Sequence, residues 1–249
     1  MIRIYSDLES LSRGAAELFV TQAEAAFKAR GRFSVALSGG STPQKTYETL
    51  ARAPLRDRIA WNHVHVFWGD ERCVTPGDPR GNALSAERSL LGHVPVPAAQ
   101  IHPIHCAESP EYAARQYEAL LRSFFAGGPP RFDLILLGLG ENGHTASLFP
   151  DSSALREHER WAAEVYVAEQ ALYRVTLTPP LINQAASVAF IVSGASKAQV
   201  LKEVLEGPRD PMRLPAQLVQ PELHGGDVYW LVDSEAASHL KGQHDRQAF

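Results

Sequence analysis

Residues 33–50 read FSVALSGGSTPQKTYETL, and the order of residue types in this stretch decides the fold. Phe33 to Leu37 is a short apolar run of the kind that forms a buried strand. Ser38, Gly39 and Gly40 interrupt it, and Ser41, Thr42 and Pro43 lead into a helical pattern, with a proline suited to a first helical turn. A strand that reaches a helix through glycines is the joint of an α/β sheet with crossover helices. Outward from this joint the alternation continues. Further strands are expected at Val64 to Trp68, Phe132 to Leu137, Arg174 to Thr178, Val188 to Val192 and Val228 to Val232. Helices are expected at Pro43 to Arg52, Asn82 to Leu91, Pro110 to Phe125, Lys197 to Leu205 and Ser234 to Leu240. Ahead of them, Ser6 and Glu9 have capping-box spacing, Leu8, Leu11, Ala15, Leu18, Phe19, Ala26 and Phe27 follow a 3.6-residue period, and Gly31 supplies a stop. The fold class read from this pattern is α/β, a sheet whose strands are joined by crossover helices. No Pro-containing loop is long enough to divide the chain, so residues 1–249 are read as one domain.

The composition narrows the function classes. With 45% hydrophobic and 21% charged residues the chain can bury a full core, and its 18 Gly and 17 Pro are close to the ordinary background. Lys and Arg number 24 against 28 Asp and Glu, with no block of like charge, so neither nucleic acid nor an acidic membrane is an expected partner. No segment approaches the roughly 18 apolar residues of a membrane span. Cys73 and Cys106 are too few for a disulfide framework or a thiolate zinc site, and two free thiols in a reducing compartment are expected. The stretch MIRIYSDLESLSRG at the start carries no long apolar run, and together with the lack of a membrane span this makes a cytoplasmic location the expectation.

In an open α/β sheet the chemistry gathers at the carboxyl ends of the strands, where loops meet helix N-termini. Three such junctions carry suitable residues. Ser38, Gly39, Gly40, Ser41 and Thr42 combine close backbone approach, hydroxyl donors and a helix N-terminus, which is the form of a phosphate cradle, without the lysine spacing of a P-loop. Asp70, Glu71 and Arg72 follow the strand Val64 to Trp68: a carboxylate there can orient a water or hydroxyl, and a guanidinium can hold an anion in two places. The third junction, after Phe132 to Leu137, contains a formal G-x-G-x-x-G from Gly138 to Gly143. Dinucleotide binding needs a long helix next, which Pro150 forbids, so the pattern is a coincidence. Its notable residue is His144, whose near-neutral imidazole suits general-base work. Arg174 and Lys197 add cations that can neutralise a phosphate. His63 and His65 are expected on one face of a strand, as two metal ligands could be, but no third ligand is evident and no metal is expected. Trp61, Trp68, Trp161 and Trp230 are read as core.

Taken together, Leu37 to Pro43, Trp68 to Arg72, Gly143-His144-Thr145-Ala146-Ser147-Leu148-Phe149-Pro150, Arg174 to Thr178, and Gly194 with Lys197 resemble the 6-phosphogluconolactonase family, within a superfamily that includes glucosamine-6-phosphate deaminase. The resemblance spans nearly the whole chain. It implies a modified Rossmann-like parallel-sheet sandwich with helices on both faces, hydrolysis of 6-phosphoglucono-δ-lactone to 6-phosphogluconate in the pentose phosphate pathway, and neither metal nor organic cofactor. It implies His144 as base, the phosphate on Ser38 to Thr42 with Arg174 and Lys197, and Arg72 with Asp70 at the lactone end. The chain departs from the family at Asn142, two residues before the histidine, where the family usually has Asp. Asn can orient by hydrogen bonding but cannot raise the imidazole pKa electrostatically. Two alternatives stand beside this reading. A glucosamine-6-phosphate deaminase would carry Glu where this chain has Phe149 and Tyr where it has Arg72. A non-catalytic sugar-phosphate sensor would have no use for His144. Oligomeric state is not legible.

Overall fold

The computed structural model describes residues 1–106 and 108–242, and the backbone of 245–246. In chain order the elements are β1 (Ile2–Tyr5), α1 (Leu8–Arg30), β2 (Phe33–Leu37), α2 (Ser41–Leu50), β3 (Val64–Trp68), β4 (Asp70–Arg72), α3 (Asn82–Ser89), α4 (Pro110–Phe124), β5 (Leu134–Leu137), β6 (Ala162–Val167), β7 (Leu172–Leu177), α5 (Pro179–Ile182), β8 (Ser187–Val192), α6 (Ala198–Glu206), β9 (Asp227–Asp233) and β10 (Asp245–Arg246), with short 3-10 turns between several of them. Seven strands pair in parallel in the order β10-β1-β9-β8-β5-β2-β3. Because β2 leads to β3 on one side while β5 leads to β8 on the other, the connections diverge between β2 and β5, which opens a crevice at their carboxyl ends. β2, β5 and β8 are buried along their whole length, as expected of parallel strands covered on both faces.

Helix α1 lies against β2, β8 and β9 and beside α2. It starts one residue later than the Ser6 and Glu9 pattern suggests: Asp7 caps it by accepting the Ser10 N–H at 2.8 Å, while Ser10 Oγ accepts the Asp7 N–H. Gly31 ends it at φ 70°, a left-handed position that favours glycine. Helix α4 packs on β6 and β7 and is tied to β3 by Tyr117, whose hydroxyl both accepts the Trp68 N–H and donates to the Trp68 carbonyl at 2.9 Å. At the amino end of the parallel sheet the Asp133 carboxylate accepts from the Ser34 N–H and hydroxyl and pairs with Arg30, joining β2 to β5. No helix among the described residues is long and apolar enough to cross a membrane.

Four expectations need correction. Of Arg174 to Thr178, the first four residues do form strand, within β7, but in a second sheet, antiparallel β4-β7-β6, rather than in the parallel one, and Thr178 instead occupies the N-cap position of α5. Asp70 to Arg72 is strand β4 and not loop. At Gly69 the chain leaves the parallel sheet: its N–H still bonds the Leu37 carbonyl, while its carbonyl accepts from Leu177 of β7. His63 ends a 3-10 turn outside β3, so it does not share a strand face with His65, whose partner is His102 at 3.3 Å. Finally, Cys73 and Cys106 are not free thiols but a disulfide. At a sequence separation of 33, this link restrains the unfolded chain by about 4 kcal/mol in the chain-entropy picture, and the cysteine count no longer argues for a reducing compartment. Trp61, Trp68 and Trp230 are core, while Trp161 is partly buried under the Arg122 guanidinium.

Candidate active site

The loops after β2, β5 and β8 converge with one face of the small sheet around a cleft of about 250 Å³. Ser38, Gly39, Gly40, Ser41, Thr42, Asp70, Arg72, His144, Arg174 and Lys197 all line it, and Asn142 stands directly behind His144. The loop after β2 is held by Tyr47, whose hydroxyl accepts the Ser38 N–H at 2.9 Å and donates to the Ser38 carbonyl at 2.8 Å. Gly40 turns at φ 107°, and no side chain caps α2, which leaves the N–H groups of its first turn available to an anion.

The small sheet supplies the charge. Its register sets Arg72 opposite Arg174 and Asp70 opposite Thr176, and the two-residue period puts all four on one face while Glu71 points the other way. Glu71 accordingly takes no part in the cleft: its carboxylate accepts the N–H groups of Asn82 and Ala83 at 2.7 Å and caps α3. Burial pushes its carboxyl above the ordinary range. Two guanidinium groups facing each other across a strand pair repel and need an anion. Asp70, buried, is the anion the protein itself provides. Its Oδ2 accepts from the Ser147 hydroxyl at 2.6 Å and from Arg174 Nη1 at 3.4 Å. Arg174 is only 5% exposed and is further fixed by Gln170 Oε1 at 2.6 Å, yet its buried Nε has no partner. A buried donor without an acceptor costs about 1–3 kcal/mol. Lys197 sits at the start of α6, 3.8 Å from exposed Glu141.

His144 projects from the loop after β5. Its Nδ1 lies 2.6 Å from Asn142 Oδ1, and because an amide oxygen only accepts, Nδ1 carries the proton and Nε2 the lone pair. The ring stacks on Phe149, with centroids 4.2 Å apart, and lies so close over Gly140 that a Cβ there would fall 2.0 Å from Nδ1. Burial depresses the imidazole pKa to about 4; Arg174 and Lys197 push the same way, against Asp70 and Glu169. The imidazole is therefore neutral at pH 7. Two residues on, Ala146 holds a left-handed φ of 48°, a strained position of the sort that accompanies functional loops.

Residues 6–230 match the family model described as glucosamine-6-phosphate isomerases/6-phosphogluconolactonase. The chain belongs to this family. It is 37% identical over 243 residues to a 6-phosphogluconolactonase of Nostoc, covering 96% of this chain and 98% of that one, and 44% identical over 225 residues to one of Synechocystis, covering 89% and 90%. Among solved structures it is similar to 6-phosphogluconolactonase from Trypanosoma brucei, with a TM-score of 0.82, 29% identity and coverage of 97% of this chain and 98% of that one. The family's sheet with flanking helices is the α/β class expected from the strand and helix pattern.

Three residues of the site were not singled out from sequence. Ser147 and Gln170 hold the Asp70–Arg174 pair, and Asn82, buried at the start of α3, bonds both Asp70 and Arg72. Ser147 lay inside the histidine run. Asn82 gave only the signal of a helix start, and Gln170 gave none.

Proposed function

We propose that this chain hydrolyses 6-phosphoglucono-δ-lactone to 6-phosphogluconate, with His144 as the general base. The observation that carries the mechanism is the Asn142–His144 contact, which fixes the tautomer with a free lone pair on Nε2, on an imidazole kept neutral by burial. Nε2 takes a proton from water as the water oxygen bonds to the lactone carbon. The carbonyl becomes a tetrahedral alkoxide. Its collapse breaks the bond to the ring oxygen, which receives the proton back from the imidazolium. General-base action contributes roughly 10²–10⁴ in rate, which suffices for an ester that also opens in plain water.

The phosphate is assigned to the Ser38 to Thr42 cradle with Arg174 and Lys197, and the lactone end to Arg72. Asp70 acts through the Arg174 guanidinium that it holds. Location in the cytoplasm is part of the same proposal, as is the absence of nucleic-acid or membrane partners, which the charge balance and hydropathy of the sequence support. The deaminase alternative is disfavoured by Phe149, whose ring occupies the face of His144 at the position where that reaction's loop carries Glu. A sensor would not need a neutral imidazole in the cleft. The test is lactone hydrolysis by the purified protein, read against the spontaneous rate: acceleration that disappears in His144→Ala supports the reading, and turnover equal to the buffer rate overturns it.

A further inference from the structure

Asn82 stands between the Asp70 carboxylate and the Arg72 guanidinium. Its Nδ2 donates to the Asp70 carbonyl at 2.9 Å and to Asp70 Oδ1 at 3.1 Å, and its Oδ1 accepts from Arg72 Nη1 at 3.0 Å. The assignment of O and N is fixed by the partners, since a guanidinium only donates and an ionised carboxylate only accepts. Its backbone N–H is tied to Glu71, so the same residue touches three successive positions of β4. Its side chain also lies against the cradle: a Cβ on Gly39 would fall 2.0 Å from Oδ1. At 3% exposure, with both ends of the amide engaged, it has little freedom to turn.

The charge arrangement explains why an amide is needed there. Asp70 has two cations within its reach, Arg174 across the strand pair and Arg72 two residues along the same face. A direct Arg72–Asp70 pair would draw the carboxylate from Arg174 and cancel the charge meant for the substrate. An amide offers an acceptor to one side and donors to the other, with no net charge, so it satisfies both groups while keeping them apart. We propose that Asn82 is a positioning residue for lactone hydrolysis: it is a neutral spacer that keeps the Arg72 guanidinium directed to the substrate and leaves Asp70 to Arg174.

The proposal rests on the reading of Arg72 as a substrate-binding group, and a double-mutant cycle separates the two. Arg72→Ala, Asn82→Ala and the double variant are compared by kcat/KM for 6-phosphoglucono-δ-lactone, with folding monitored by thermal denaturation. Losing a hydrogen bond to a charged group is expected to lower kcat/KM about tenfold or more in Asn82→Ala. The double variant is expected to lose less than the product of the two single losses, because the part of the spacer's role that serves Arg72 is gone with the guanidinium while its bonds to Asp70 are lost in either background. If Asn82→Ala does not fold, the near-isosteric Asn82→Asp replaces it. That change sets a second carboxyl against Asp70, so its kcat/KM relative to wild type should recover as pH falls and the new carboxyl protonates. Multiplicative losses in the double variant overturn the proposal, because Asn82 then acts independently of Arg72. So does an Asn82 variant within twofold of wild type while Arg72→Ala is impaired. An Arg72→Ala enzyme as active as wild type overturns the assignment of Arg72 and the proposal with it.

Discussion

The two sheets contribute to the cleft in different ways. The parallel sheet delivers loops in which the backbone does the shaping: Gly40 at φ 107° before an uncapped helix, and Gly140 lying flat beneath the His144 ring. The antiparallel β4-β7-β6 sheet delivers side-chain charge, with Arg72, Arg174 and Asp70 on one face, each held by named partners. A parallel strand stops at the crevice and hands over to a helix N-terminus. A β4–β7 pair instead runs beside the crevice and can aim alternate side chains into it. The expected division is that the chemical step belongs to the His144 loop of the large sheet and not to the small one, while substrate retention is shared by the Ser38 to Thr42 turn and Lys197 at the strand ends of the large sheet and the arginines of the small one.

The largest effect expected is on the chemistry side. His144→Ala should lose at least about 10² in kcat and keep its affinity for 6-phosphogluconate, since the cations are untouched. Near wild-type turnover in steady-state kinetics would remove the large sheet's claim to the reaction. On the retention side, Arg174→Ala should raise KM by roughly tenfold or more, since a charge-assisted contact is lost and Asp70 is left buried without its guanidinium. A kcat loss as deep as that of His144→Ala, with KM unchanged, would erase the division between the sheets. Lys197→Ala should move KM in the same direction but less, because its side chain is 24% exposed and its contact to Glu141 is long.

Backbone shaping can be tested within one loop. A Cβ at Gly140 meets the imidazole at 2.0 Å, whereas at Gly138 it meets nothing within 4 Å. Gly140→Ala should therefore displace the base and cost about tenfold in kcat, with Gly138→Ala near wild type. Equal behaviour of the two variants would show that the ring does not depend on that floor.

The smallest expected effect is a shift rather than a loss. With the His144 pKa near 4, wild type should keep its activity well into the acid range. Asn142→Asp places a negative charge at the Nδ1 proton, favours the imidazolium, and should raise the acidic limb of kcat/KM by about a pH unit or more. A limb that stays in place, with the spontaneous rate subtracted at constant ionic strength, would reduce Asn142 to a residue of turn geometry.

What was legible in the sequence followed local rules. Phe33 to Leu37 and Val64 to Trp68 became β2 and β3 with the same bounds, and Gly31 ended α1, because burial on both faces and a left-handed cap leave direct marks on residue type. That the Ser38 to Thr42 turn and His144 would stand at strand ends was legible because glycine-rich strand ends and a recognisable histidine run are contiguous, and the structure brings both to one cleft. Tertiary structure alone decided which residues 50 or 100 positions apart would meet. β7 could be read as strand, but nothing local says that it pairs with β4 rather than entering the parallel sheet. That pairing is what sets Arg174 against Asp70 and Arg72. The roles of Asn82 and Glu71, and the Cys73–Cys106 bond, likewise depend on where the chain turns at Gly69. Local propensity and hydrophobic period constrain neighbours along the chain, whereas the partners of a buried charge are chosen by packing between distant segments.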